Sequence, residues 1–178
     1  GRGRVAGGRA HDRLELPMNV KRCKIDAVGM EVGDAYEYLI EQSLNNPTCA
    51  DWPWVITYEE DNTPEPRAFK KLLEAIRHCP DCKQRIGNQE YCSLGHKAYD
   101  AIQALYWTKS EPPMPMAFGN PSKPRDLATQ DVVSKIEAED SLDQLLEVNG
   151  VAMGFTLYRK SLFNKISKPR FRTVDYSE

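Results

Sequence analysis

Long hydrophobic runs are missing from this sequence. No apolar stretch approaches the roughly 18 residues needed to cross a bilayer, and none follows the basic opening GRGRVAGGRAHDR, so that opening is not a secretory signal. Charge of one sign is missing too: 24 Lys and Arg stand against 26 Asp and Glu, a net charge of -2. No positive field advertises nucleic acid or an anionic membrane, and no specific nucleic-acid binding is expected. Cysteines number only five, an odd count. Without a secretion signal, this argues against a disulfide framework and for a reducing, cytoplasmic compartment. The chain also lacks a phosphate-cradling glycine loop, a Ser-His-Asp arrangement and an internal repeat.

What is present is an ordinary globular balance over 178 residues, 40% hydrophobic and 28% charged, enough for a domain with a core of its own. Residues 1–15 read as a flexible lead-in and 16–178 as a single domain. The missing initiator Met makes the chain read as a piece of a longer protein. Helical periodicity predicts a helix from Glu31 to Leu44, with Val32, Ala35, Tyr36, Leu39, Ile40 and Leu44 on one stripe and Asn45-Asn46-Pro47 as the stop. The run from Trp52 to Tyr58 lacks polar alternation, which predicts a strand covered on both faces, as in a mostly parallel sheet. A second helix is expected from Arg67 to Arg77, with Phe69, Leu72, Leu73 and Ile76 buried. Ala101–Trp107 reads as another strand, followed by a proline-rich loop in which Met114 and Met116 are packing pins. The acidic stretch Gln130–Leu146 reads as a surface helix or variable loop. Glu147–Arg159 reads as a strand with glycine-permitted bends, leading to a short helix over Ser161–Ile166. Strand, acidic turn, helix is the unit of an α/β sheet.

The acidic turn is Glu59-Glu60-Asp61-Asn62. Carboxylates crowded at a strand end repel one another and resist desolvation, and a hard divalent cation relieves both. Glu59 and Asp61, two apart, can point to one side and hold Mg²⁺ or Mn²⁺. Glu60 then faces away or touches a ribose, and Asn62 holds the turn. The alternative is a solvated loop whose Asp or Asn caps the next helix.

A second cluster is Cys79-Pro80-Asp81-Cys82 with Cys92-Ser93-Leu94-Gly95-His96, the spacing C-x2-C-x9-C-x3-H. Three thiolates and an imidazole in two tight pairs suit tetrahedral Zn²⁺, and four protein ligands make a closed, structural site. Residues 78–97 are polar and read as an insert stapled by that metal, with His78 in reserve. Free thiols or a redox C-x-x-C pair are the alternatives. Cys23 and Cys49 read as ordinary thiols. Trp54 reads as core, while Trp107 can stack on a sugar or base.

The segments EVGDAYEYLIEQSL, WVITYEEDNTPEPRAFKKLLEAI, DAIQALYWTKSEPPMPMAFGNP, NGVAMGFTLYRKSLFNKI and KPRF together resemble the GT-A glycosyltransferase-like proteins of phages and prokaryotes, related to glycosyltransferase family 2. The resemblance implies an α/β fold with a mixed, mostly parallel sheet flanked by helices. It also implies a nucleotide-diphosphate sugar held through a divalent cation, and an unknown hydroxyl acceptor. The family's DxD-type motif stands here as Glu59-Glu60-Asp61, an ExD version. A later pattern, GxxMGFxLxRxxxF, is carried by Gly150, Met153, Gly154, Phe155, Leu157, Arg159 and Phe163. Lys109 is a candidate for the phosphates, or a solvated surface lysine; Arg159 has a family role or an ion-pair role within the fold. The family's acidic general base follows the last of these segments and has no counterpart here, so the domain is expected to be C-terminally incomplete. Asp175 and Glu178 on a free tail are poor substitutes. A non-catalytic binding or scaffold module with the same fold and a zinc knuckle is the second function. A nucleotidyltransferase, which wants the glycine loop this chain lacks, is the third.

Overall fold

A computed structural model describes residues 14–18, 20–59, 62–119 and 145–171. Residues 1–13 of the lead-in, Glu60, Asp61, residues 130–144 of the acidic stretch and the tail with Asp175 and Glu178 lie outside the described residues. In chain order the elements are α1 (Val32–Asn45), β1 (Trp54–Tyr58), α2 (Ala68–Ile76), β2 (Ala101–Gln103), β3 (Ala117–Phe118), β4 (Gly150–Val151), β5 (Phe155–Arg159) and α3 (Ser161–Lys165). Helices and strands are both present, so the chain is of mixed α/β composition. No helix among the described residues is long and apolar enough to cross a membrane.

The strand directions correct the sequence reading. The three-stranded sheet has the order β1-β5-β2. Glu59 N–H donates to Gly154 O at 2.9 Å and Lys160 N–H to Pro53 O at 2.8 Å, so β1 and β5 run in opposite senses. Ala104 N–H to Phe155 O at 3.1 Å and Arg159 N–H to Asp100 O at 2.8 Å give the same result for β5 and β2. β3 and β4 also pair antiparallel. The described sheets are therefore antiparallel, not mostly parallel. An apolar run reports burial and carries no information on strand direction. The strand covered throughout is the central one: all five residues of β5 are buried, whereas β1 is half-buried along most of its length.

The chain divides into two compact units. One comprises Gly1–Glu15, Thr57–Ala75 and Ala101–Thr156; the other comprises Leu16–Ile56, Ile76–Asp100 and Leu157–Glu178. In the first, Ala68, Phe69, Leu72 and Leu73 of α2 are buried, as are Ile102 and Phe155. Tyr58 meets Phe155 edge-on at 5.8 Å. The strand expected over Ala101–Trp107 stops at Gln103. Beyond it Trp107 makes a single antiparallel bridge to Pro115, flanked by Thr108 N–H to Met114 O and Met116 N–H to Tyr106 O, both at 2.8 Å, so the proline sits where the pairing asks for no N–H from it. Met114 does pack against Ala117, together with Leu146 and Val148.

In the second unit Ile40, Ile76, Leu157, Tyr158 and Phe163 are buried, and Phe163 lies 5.2 Å from Tyr158 and 6.4 Å from Phe171 between ring centres. Helix α1 turns Ile40 and Ser43 inward, while Val32, placed on the apolar stripe by periodicity, is exposed at its first turn. Glu37 and Glu41 of α1, both half-buried beside Ile40, bind the buried guanidinium of Arg170; the Glu37 contact measures 2.8 Å.

Candidate metal centre and the acidic turn

The segment after α2 folds into two small hairpins, each closed by one antiparallel bridge: His78 with Arg85, and Tyr91 with Lys97. In the first, Cys79 N–H donates to Gln84 O at 2.8 Å and Lys83 N–H to Cys79 O at 3.1 Å, with Lys83 in the left-handed region at φ 59. In the second, Cys92 N–H donates to His96 O at 3.0 Å and Gly95 N–H to Cys92 O at 2.9 Å. Gly95 supplies the left-handed residue, φ 81, a conformation that costs glycine little. Ser93 Oγ bonds Gln84 Oε1 at 2.8 Å and joins the hairpins.

Each hairpin aims two ligands at one point, two thiols from the first and a thiol and an imidazole from the second. The ligand atoms of Cys79, Cys82, Cys92 and His96 all lie within 4.8 Å of one another. Cys82 Sγ stands 3.8 Å from Cys92 Sγ, and Cys79 Sγ stands 3.8 Å from His96 Nδ1. Zn–S bonds of about 2.3 Å at tetrahedral angles put neighbouring sulfurs about 3.8 Å apart, so the sulfur pair already has the edge length of such a site. The cluster can hold a metal ion such as zinc. His96 faces it through Nδ1, which also lies 4.0 Å from Asp81 Oδ2. His78, the reserve ligand, is not in the cluster.

Protonation follows from this crowding. Burial raises the Cys79 thiol, but backbone N–H bonds from Cys82 and Asp81, with the Cys82 and His96 side chains, outweigh it and bring the thiol down to about 6. At Cys82 the Gln84 backbone N–H favours the thiolate, yet burial and the neighbouring Cys79 and Cys92 push the thiol up. One negative charge is thus well accommodated and a second is resisted, a conflict that a cation among the sulfurs removes. All five cysteines are free thiols. Cys49 is buried, and its thiol is raised by that burial and by Cys23.

The acidic turn is tied down by a glycine 92 residues away along the chain. Glu59 N–H and Asn62 Nδ2 both donate to Gly154 O, at 2.9 and 3.3 Å. Asn62 N–H closes the turn on Glu59 O at 3.1 Å, and Tyr58 donates its hydroxyl to Asn62 O at 2.7 Å. Gly154 N–H in turn donates to the Tyr106 hydroxyl at 2.9 Å. Glu59 is half-buried where β1 ends; its companions Glu60 and Asp61 lie outside the described residues. Lys109 is exposed in the loop between Trp107 and Pro115, and Trp107 is 49% exposed.

Two residues carry roles that the sequence reading did not give them. Arg159 is only 2% exposed and donates to the carbonyls of Tyr99, Asn88 and Ile76 at 3.3, 2.7 and 3.4 Å, with its guanidinium 4.7 Å from the centre of the Trp54 ring. Lys160 is buried and donates to the carbonyls of Cys49 and Ala50, both at 2.7 Å. The signal in the sequence was two consecutive cations closing an otherwise uncharged buried strand, FTLYRK. A cleft of about 420 Å³ between Trp52, Asn164, Lys160, Lys168 and Arg170 looks basic. Its cations are already engaged, however: Lys168 with Glu41, and Arg170 with Glu37 and Glu41.

Compared with protein-family models, curated proteins and solved structures, the chain finds no match.

Proposed function

We propose that this chain is a metal-dependent glycosyltransferase-like domain. It binds a nucleotide-diphosphate sugar at the turn that begins with Glu59 and passes the sugar to a hydroxyl acceptor. A structural Zn²⁺ holds its Cys/His insert. The observation that carries the sugar reading is the junction at Gly154. The acidic turn, the Tyr106 segment and the GxxMGF pattern each carry part of the family resemblance, and they are bonded to one another through that single residue. Glu59 and Asp61 would hold Mn²⁺ or Mg²⁺, whose chemistry is to offset the charge that builds on a departing diphosphate. Glu59 and Asn62, on either side of Glu60 and Asp61 in the sequence, are both bonded to Gly154 O. In that reaction the acceptor hydroxyl would attack the anomeric carbon as the bond to the diphosphate breaks, and its proton would pass to solvent.

For the insert, the donor set of three sulfurs and one imidazole nitrogen and the 3.8 Å sulfur spacing fit Zn²⁺. Thiols kept as metal ligands belong in a reducing compartment, which agrees with a cytoplasmic location. A non-catalytic binding module with the same zinc knuckle is the second reading: the bonds among Glu59, Asn62 and Gly154 serve a purely structural turn equally well.

Titration calorimetry with UDP- and GDP-sugars, with and without Mn²⁺, separates these. The transferase reading expects metal-dependent binding that is lost in Glu59→Ala and Asp61→Ala. Native protein that binds no nucleotide sugar in the presence of Mn²⁺ ends that reading and leaves the binding module.

A further inference from the structure

The geometry points to Arg159 as a positioning residue of the metal centre, a side chain that holds the insert in the shape that brings Cys79, Cys82, Cys92 and His96 together. This rests on the zinc reading above. Of the three carbonyls that Arg159 binds, two flank the insert 78–97 and one lies within it. Ile76 ends α2 just before the first hairpin, Asn88 lies between the hairpins, and Tyr99 follows the second. A planar guanidinium with donors in a rigid fork fixes all three relative to one another, and its carbon lies over the Trp54 ring at 4.7 Å from the ring centre. Both ends and the middle of the insert are thus anchored to one residue of β5.

The insert needs such an anchor because it has little core of its own. Its buried cluster is Cys79, Ile86, Cys92 and Ala98, with Cys82 packed against them, so three of five members are metal ligands. Too little apolar area is left to fold the segment on its own, and metal binding and folding become one event. Arg159 has the reciprocal need. Its hydrogen bonds go to carbonyls rather than to a carboxylate, and a buried donor that loses its acceptor pays the full desolvation cost. The ordered insert supplies Asn88 O and Tyr99 O to Arg159, and Arg159 pre-arranges the insert for the metal. By linkage the two effects are equal in size.

Chelator competition on the full chain measures this. Native protein is expected to bind one Zn²⁺. Arg159→Met, which keeps the apolar stem but no donors, is expected to bind it at least about tenfold more weakly, as loss of one or two hydrogen bonds from a charged group implies. Arg159→Lys should fall between, because a point charge reaches fewer of the three carbonyls. The Co²⁺-substituted spectrum should be the same in native protein and Arg159→Lys, since the ligands are untouched. Should Arg159→Met fail to fold, hydrogen exchange on the native chain decides. Stripping the metal should deprotect the Arg159 amide, which bonds Asp100 O, together with the amides of Ile86 and Ala98. An unchanged zinc affinity in Arg159→Met, or an Arg159 amide whose protection ignores the metal, overturns the positioning role and leaves the zinc site standing. A native chain that binds no zinc overturns both.

Discussion

The amide of Gly154 donates to the hydroxyl of Tyr106 at 2.9 Å, and a methyl group on that glycine would come within 2.5 Å of the same oxygen and 2.7 Å of Asn62 Nδ2. The site is closed on two sides by groups that are themselves bonded, one of them a ring. Gly154→Ala is therefore expected to lower stability by about 1–3 kcal/mol, the usual cost of overpacking, measured by urea denaturation. If the sugar reading holds, it should also weaken Mn²⁺-dependent nucleotide-sugar binding.

Gly95 offers the opposite case. A Cβ there meets nothing within 4 Å, yet its φ is +81. Gly95→Ala should cost about 1–2 kcal/mol from backbone conformation alone. Because Gly95 sits between Cys92 and His96, that cost should appear as weaker zinc affinity in chelator competition, with the stoichiometry unchanged. Equal affinity in the variant would show that the second hairpin is not held in this turn.

Lys160 is 6% exposed and serves two carbonyls of the segment before β1, those of Cys49 and Ala50. Lys160→Met keeps the stem but leaves both acceptors buried without it. A loss of about 1–3 kcal/mol is expected in thermal or urea unfolding. A neutral result would mean that water replaces the ammonium.

Acid sensitivity should trace in part to Glu41. Its carboxyl is held below the ordinary value by the hydrogen bond from Lys168 and then by that from Arg170, against a smaller opposing effect of burial. A carboxyl with a depressed folded-state pKa adds stability above its unfolded value of about 4.3. That stability fades as pH falls through the lower folded value. Glu41→Gln should thus be less stable than native protein at pH 7, and the gap should close in acid. A gap that persists at pH values below both pKa values would assign the loss to shape rather than charge.

Much of the local structure was legible in the sequence. The stripe of α2 and the Asn-Asn-Pro stop of α1 follow from periodicity and chain-stop chemistry, and the Cys/His spacing named the four residues whose ligand atoms converge. Strand direction was not legible, because the same apolar runs suit a parallel or an antiparallel partner. What decides here is pairing between residues as distant as Pro53 and Lys160. The carbonyl cage of Arg159 was hidden for a related reason. Backbone acceptors have no residue-type signature, so a buried cation in FTLYRK signals that partners exist without saying which.

The most direct measurement is X-ray absorption at the zinc edge on protein purified without added zinc, together with metal quantification. The account predicts one zinc per chain with three sulfurs at about 2.3 Å and one nitrogen at about 2.0–2.1 Å, and loss of a sulfur in Cys92→Ser. Zinc in a shell dominated by oxygen, or well under one equivalent with Cys82 and Cys92 joined as a disulfide, would contradict it.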